Sequence, residues 1–104
     1  MRTRHLAKIL TYNFFKQLAS LPFVQKIMLF GSRARGTHHE RSDIDLAIEC
    51  PSATDIDWNR VMQIIENADT LLKIDCVRFD TVHTKRFKDS ILEDQVILFK
   101  RAKK

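Results

Sequence analysis

The stretch from residue 30 to residue 49 reads FGSRARGTHHERSDIDLAIE and contains three local signals in succession. The apolar run 24–30 stops at a glycine and a serine, which indicates a buried strand that ends in a sharp turn. Residues 32–35 can form a little over one helical turn, which Gly36 would close. After a polar loop, residues 43–49 begin with strict polar and apolar alternation, the pattern of a strand with one face in the core. The stretch therefore predicts a strand, a short helix and a second strand.

Similar patterns continue on both sides of this stretch. Apolar residues recur at helical spacing near the N-terminus, and Pro22 ends that helix. Alternation of helical and strand patterns over the whole chain favours an α/β (α+β) fold, with a single sheet packed by helices on one face. The other predicted elements are a helix over about 3–20, a helix over about 54–68, a strand over 73–79, a helix near 85–94 and a strand over 96–99.

Composition limits the classes of protein that the chain can represent. At 104 residues with 44% apolar residues, we expect one domain that covers residues 1–104. No apolar run reaches the roughly 18 residues that a membrane helix needs, and no signal-peptide pattern follows the first residues, so we expect a cytoplasmic protein without a membrane partner. The net charge of +5 suits a phosphate-bearing partner, but the excess lies at the two ends, where solvated tails explain it equally well. Nucleic-acid binding therefore stays open.

Gly31 and Ser32 form the first candidate site feature. A glycine lets the chain turn sharply and lets a ligand approach the backbone, and the start of a helix offers free N–H groups that suit a phosphate. The serine hydroxyl adds a donor. The alternative is a plain turn in which the serine caps the helix.

Asp43 and Asp45 form the second feature, because residues two apart on a strand point to the same face. Ile44, Leu46 and Ile48 would then enter the core while both carboxylates project from the other side. Adjacent carboxylates repel one another unless a cation lies between them, and hard oxygen ligands suit Mg²⁺. The alternative is an exposed edge strand with polar residues in water.

Asp75 is the third feature, an acidic residue inside the strand-like run 73–79. A neighbouring strand that places Asp75 beside Asp43 and Asp45 would explain it, and the three carboxylates could then hold a second metal about 3.5–4 Å from the first. The alternatives are a solvent-facing position or an ion pair with Arg78 or a nearby lysine.

Together, the sequence Gly-Ser, ten intervening residues and Asp-x-Asp resembles the signature of the DNA polymerase β-like nucleotidyltransferase superfamily. Residues 30–36 and 42–46 look most like its minimal nucleotidyltransferase branch, the type that pairs with HEPN-domain proteins. Asp75 falls where that family has its third aspartate. The resemblance implies the small nucleotidyltransferase fold with a mostly mixed sheet. The chain departs from antibiotic-modifying relatives, which carry a further helical domain for the acceptor.

The resemblance also implies a reaction. A nucleoside monophosphate, expected to be AMP from ATP, would pass from a nucleoside triphosphate to an acceptor hydroxyl with two Mg²⁺ ions, or Mn²⁺, as cofactors. Gly31 and Ser32 would hold the β- and γ-phosphates. Asp43 and Asp45 would bind the nucleotide metal, and Asp75 would join them at the second metal and could take the acceptor proton.

Two arginines flank the glycine-serine turn. We expect Arg33 to reach a phosphate, although a salt bridge to an acidic neighbour (Glu40, Asp43 or Glu49) would serve it equally well. We expect Arg35 to have a structural role.

The resemblance finally implies a partner, a small helical HEPN-type protein that the transferase neutralises as an antitoxin. One alternative is a non-catalytic module that binds nucleotide and partner and acts by occlusion, and another is a transferase directed at RNA ends. An open metal site also predicts exposed apolar surface, for which Val77 and Phe79 are candidates, and hence a homo-oligomer or a second protein over the opening. The C-terminal segment could instead cap that face.

Overall fold

The computed structural model describes the backbone of residues 2–102 and the side chains of residues 6–102. None of the helices in this part of the chain is long and apolar enough to cross a membrane. A 3-10 turn covers Phe79–Thr81. The helices are α1 (Arg2–Thr11), α2 (Asn13–Ser20), α3 (Gly31–Arg35), α4 (Asp55–Glu66) and α5 (Lys85–Asp94), and the strands are β1 (Lys26–Phe30), β2 (Ile44–Glu49), β3 (Ile74–Arg78) and β4 (Val96–Lys100).

The four strands form one mixed sheet in the order β3-β2-β1-β4. Strand β1 runs antiparallel to both β2 and β4, whereas β2 and β3 are parallel. A parallel pair needs a crossover connection, and α4 provides it between β2 and β3. This arrangement confirms the expected fold class and the mixed sheet.

The N-terminal helix differs from its prediction, because the segment expected as one helix is divided at Tyr12 into α1 and α2. Tyr12 has extended backbone angles, and the Asp69 carboxylate accepts hydrogen bonds from the N–H groups of Asn13 (3.0 Å) and Phe14 (3.1 Å). Asp69 thus caps α2 from a distant loop, a role that a residue next to the helix usually plays. Hydrophobic periodicity continues across the break, so the sequence pattern alone could not reveal it.

The main core lies on one face of the sheet. Ile44, Leu46 and Ile48 of β2 are completely buried there, as predicted, together with Ile27 and Leu29 of β1. Helices α1, α2 and α4 supply the opposing side chains, among them Ile9, Phe14, Leu18 and Val61.

A smaller apolar cluster occupies the opposite face, and it corrects the expectation that helices pack on one face only. Its buried members are Met28, Phe30, Ala47, Phe79 and Ile91, the last from α5. Phe79 is therefore buried, and Val77 is half-buried against the same cluster, instead of being exposed apolar surface. The C-terminal segment caps this face through α5, the alternative that the sequence had left open.

Candidate functional site

The three predicted site features meet at one edge of the sheet. Strand β1 ends at this edge and antiparallel β2 begins there, so Phe30, which precedes the glycine-serine turn, pairs with Asp45. Parallel β3 begins at the same edge, where Asp75 pairs with Asp45. Neighbouring strands lie about 4.7–4.9 Å apart, and in-register residues of a parallel pair point to the same face. The sheet topology therefore brings the Asp45 and Asp75 carboxyl groups side by side, beside the turn.

Gly31 is required at this turn for two reasons. Its φ of 74° lies in the left-handed region, which residues with a side chain rarely adopt. A Cβ atom at position 31 would also overlap the carboxylate oxygen Oδ2 of Asp45. The missing side chain at Gly31 thus makes room for the Asp45 carboxylate, and it can also let a ligand approach the backbone.

Negative charge is concentrated around Asp45. Burial raises the pKa of its carboxyl group, and the charges of Asp75 and Asp43 and a side-chain hydrogen bond to Asp75 raise it further, while Arg35 opposes these effects. Such a shift is expected where carboxylates share a site without a cation between them. The crowding predicted for the three aspartates is therefore present, with Asp45 at its centre.

Asp75 also makes the ion pair that the sequence allowed as an alternative. Lys73 Nζ lies 3.6 Å from Asp75 Oδ1, and the two side chains are 70% and 45% exposed. Exposed pairs of this kind contribute only about 0.2–1 kcal/mol, so a ligand that competes for the Asp75 carboxylate would displace Lys73 at little cost.

The carboxylates suit Mg²⁺ by their chemistry, since this ion takes one or two carboxylates and completes its shell with phosphate oxygens and waters. Among residues 6–102, no three histidine, cysteine or acidic side chains are arranged as a ready metal site. The adjacent pair Asp45 and Asp75 and the nearby Asp43 would hold the ion, and ligand oxygens would be needed to complete its coordination.

Ser32 does not cap α3. Phe30 occupies the N-cap position, and no side chain in the described structure caps the helix there. At the other end, Gly36 adopts a left-handed conformation with φ of 79°, and the N–H groups of Gly36 and Thr37 donate to the carbonyl of Ser32. The prediction that Gly36 closes the short helix is confirmed, whereas the alternative that Ser32 caps this helix is wrong.

Arg33 is buried beneath the loop that leads to Asp43. Its side chain is 4% exposed, and its guanidinium donates to the carbonyl of Ser42 from Nε (3.0 Å) and Nη2 (2.9 Å) and to the carbonyl of Glu40 (3.1 Å). Burial lowers the pKa of this guanidinium, an effect that nearby negative charge opposes. These contacts fasten the loop before β2. The predicted phosphate contact of Arg33 stays a prediction.

Arg35 joins α3 to α5, in keeping with its expected structural role, and it also lies near Asp45, which the sequence prediction did not include. Its side chain is 50% exposed, Nη1 lies 2.5 Å from Asp94 Oδ2, and its charge acts on the Asp45 carboxylate. A signal was available, because residues three apart in a helix lie on the same face. Arg35 therefore shares a face of α3 with Ser32, whereas Arg33 is turned away from it.

Comparisons of the sequence with known proteins point to one family. The sequence profile of the family described as Polymerase beta, Nucleotidyltransferase matches residues 13–104. A provisionally named protein adenylyltransferase from Methanocaldococcus jannaschii is 35% identical over 75 residues, which are 70% of this chain and 75% of the relative.

Solved structures provide the corresponding likeness in fold. A toxin-antitoxin complex with AMP-PNP is similar with a TM-score of 0.65 and 24% identity, over 86% of this chain and 73% of that one. A provisionally named nucleotidyltransferase from Sulfolobus solfataricus has a TM-score of 0.57 and 25% identity, over 96% and 84%. A complex of the tri-AMPylated HEPN toxin of Shewanella oneidensis with its MNT antitoxin has a TM-score of 0.60 and 18% identity, over 97% and 74%.

Proposed function

The chain belongs to the polymerase beta nucleotidyltransferase family and is a nucleotidyltransferase, and we propose that it transfers AMP from ATP to a hydroxyl group of a partner protein. The observation that carries the proposal is the pairing of Asp45 with Asp75 at the edge where the Gly31–Ser32 turn lies. Paired carboxylates beside a glycine-serine turn suit a reaction at a phosphorus atom. Positioning and charge stabilisation account for most of the catalysis in such reactions.

AMP is the nucleotide that the relatives favour. One similar solved structure contains AMP-PNP, a second contains an AMPylated protein, and the M. jannaschii relative is named for adenylyl transfer. The preference for adenine is the part of the proposal that depends most on these relatives.

Gly31 and Ser32 would bind the β- and γ-phosphates of the triphosphate. The Ser32 hydroxyl is not used as a helix cap, since Phe30 holds that position, which leaves the hydroxyl available as a phosphate donor. Arg35 is half exposed on the same face of the short helix, so its guanidinium can balance triphosphate charge from the side. Arg33 holds the loop before Asp43 and would keep that carboxylate in place.

Asp43, Asp45 and Asp75 would hold magnesium. The family resemblance implies two ions at this site. When bound, magnesium supplies positive charge to the phosphates and lowers the pKa of the acceptor hydroxyl. Of the paired carboxylates, Asp75 carries a side chain that is 45% exposed. We therefore assign it the role of accepting the proton from the incoming hydroxyl.

The bonds change in one displacement. The acceptor oxygen forms a bond to the α-phosphorus, its proton passes to Asp75, and the bond between the α-phosphorus and the bridging oxygen breaks. Pyrophosphate leaves with its charge balanced by the groups at the turn. The residues of the chain align the two reactants, which alone can supply a large part of the rate enhancement.

We propose a HEPN-type protein as the acceptor and partner. Two of the similar solved structures are complexes of a toxin with its antitoxin. The site edge also carries an exposed apolar residue, Leu71, in the loop before β3, which a docked protein could cover. Neutralisation would then follow from AMP attached to a side chain of the partner.

The experiment incubates the purified chain with Mg²⁺, the protein encoded beside it and ATP labelled at the α-phosphorus. We expect label on the partner, with less transfer from GTP, CTP or UTP, and no label with Asp45→Asn. Complex formation without label would favour neutralisation by occlusion, and label on added RNA would favour an RNA-end-directed transferase. Either result would refute the proposed acceptor chemistry.

A further inference from the structure

We infer that Asp94, the last residue of α5, is a positioning residue that holds the Arg35 guanidinium at the nucleotide site and so sets the affinity of that site for a nucleoside triphosphate. The inference rests on the proposed function, because it takes a triphosphate as the ligand at this edge of the sheet. It gives α5 a part in nucleotide binding, although its residues lie about 60 positions from the glycine-serine turn in the sequence.

The two side chains differ in solvent exposure, as such a role requires. Arg35 Nη1 donates to Asp94 Oδ2 at 2.5 Å, the Asp94 side chain is only 16% exposed, and that of Arg35 is 50% exposed. Asp94 is therefore the more buried partner, and half of the arginine side chain stays exposed to solvent. A guanidinium has five N–H donors, so a bond from Nη1 to one carboxylate leaves donors for a phosphate.

The backbone around Asp94 is anchored to the sheet. Ile91 lies three residues earlier in α5, on the same side of the helix, and is completely buried in the cluster with Met28 and Phe30. Phe87, a turn before Ile91, packs edge-on against the ring of Phe30, with 5.8 Å between the ring centres. Because Phe30 directly precedes Gly31, α5 is packed against the same strand end that carries the phosphate turn.

Arg35 lies within one helical turn of the glycine-serine turn. Arg35 ends α3, the helix that begins at the turn, and shares a helical face with Ser32. Its charge also acts on the Asp45 carboxylate, which sits against Gly31. Without Asp94, the long arginine side chain would sample many rotamers, and fixing it on binding would cost side-chain entropy.

The same helix supplies a matched control. Lys85 and Asp89 form an ion pair of 2.7 Å on the exposed surface of α5, with side chains 90% and 56% exposed. Asp89→Asn removes one carboxylate from α5, as Asp94→Asn does, but it leaves the link to Arg35 untouched. An effect of overall charge or of helix stability would appear in both variants.

The test is calorimetric titration with AMP-PNP and Mg²⁺, which reports binding without turnover. For Asp94→Asn we expect the dissociation constant to rise about fivefold, the factor that corresponds to the upper end of measured exposed ion pairs. Asp94→Glu should recover part of the affinity, and Asp89→Asn should bind like the parent. In the transfer reaction, Asp94→Asn should raise KM with little change in kcat. Parental affinity in a folded Asp94→Asn protein would overturn the inference.

A double-mutant cycle separates a positioning role from a general loss of structure. Arg35→Gln should weaken binding more than Asp94→Asn, and Asp94→Asn should add little in the Arg35→Gln background, because the two residues act through one guanidinium. Additive effects would refute the inference. If Asp94→Asn melts too early to titrate, Asp94→Ser removes the same carboxylate with a small polar side chain that helix ends tolerate.

The proposed function and the proposed role of Asp94 can be refuted by different results. A parent protein that binds AMP-PNP but labels no partner would refute the proposed acceptor and leave the Asp94 inference supported by the binding series. A parent that labels its partner while Asp94→Asn binds nucleotide normally would support the proposed function and refute the inference.

Discussion

The two faces of strand β2 differ sharply in what they contact. Ile44, Leu46 and Ile48 are completely buried against α1, α2 and α4. On the alternate positions, Asp45 lies at the open edge of the sheet beside Asp75, and only Ala47 is covered by the smaller cluster with α5. One strand of six residues thus supports the main core with one face and the candidate site with the other, so the site can be charged without a loss of core packing.

The largest effect on stability should come from the core face. Leu46→Ala removes a completely buried side chain and should lower the free energy of unfolding by about 2–5 kcal/mol. Urea unfolding followed by circular dichroism measures it. Leu71→Ala, at a fully exposed leucine, should stay within about 0.5 kcal/mol of the parent. Equal costs in the two variants would mean that the core face is not the main source of stability.

Asp45, the residue before Leu46, should give the opposite result, which is a loss of activity without a loss of stability. Asp45→Asn keeps the shape of the side chain but removes a negative charge from the group of three aspartates. The rate of AMP transfer should fall at least about a hundredfold, because charge stabilisation by a bound metal ion contributes several kcal/mol. The melting temperature without divalent metal should not fall, since repulsion is relieved. Initial rates and thermal melts check both parts. Asp55→Asn, an exposed acidic residue of α4, is the control for activity. Parental rates would remove Asp45 from the reaction.

Metal should stabilise the face that carries the aspartates. Mg²⁺ or Mn²⁺ that binds only the folded protein adds about 2.7 kcal/mol at a hundredfold excess over Kd. In Asp45→Asn this increment should shrink, because fewer carboxylates remain to hold the ion. Thermal melting with and without millimolar Mg²⁺ and ATP measures the difference. A melting temperature that metal leaves unchanged in the parent would count against magnesium at this edge.

The smallest effect on stability should come from the turn itself. Ser32 caps no helix in the described structure, so Ser32→Ala should change the free energy of unfolding by less than about 0.5 kcal/mol. Its affinity for AMP-PNP should nevertheless fall, because a phosphate donor is lost. Calorimetric titration beside urea unfolding separates the two quantities. Unchanged affinity would mean that the turn serves the backbone alone.

Secondary structure was predictable where one periodicity holds over a whole element. The helix expected over about 54–68 is α4 at Asp55–Glu66, and the strands expected over 73–79 and 96–99 are β3 and β4 within about a residue. The break at Tyr12 was not predictable, because the group that caps α2 is Asp69, which the fold brings from more than fifty residues away. Local patterns carry no record of such a contact.

The positions of the candidate site residues were more predictable than their contacts. Alternation placed Asp45 opposite the core, and β2–β3 pairing brought Asp75 to it as expected. The contacts of the two arginines were not predictable, because residue types do not indicate which backbone carbonyls Arg33 meets, and the partner of Arg35 comes from far along the chain. Arg33 fastens a loop, and Arg35 reaches Asp94 at the end of α5.

The sequence by itself determined the alternation of elements, the core face of β2, and the candidate residues, which are a glycine-serine turn and three aspartates. These follow from local periodicity and from residue chemistry, which do not need the rest of the chain. The tertiary structure alone decided that α5 covers the second face, that Phe79 is buried, and that Asp45 occupies the space beside Gly31. Each of these depends on strand order and helix packing, which bring together groups that no spacing along the sequence relates.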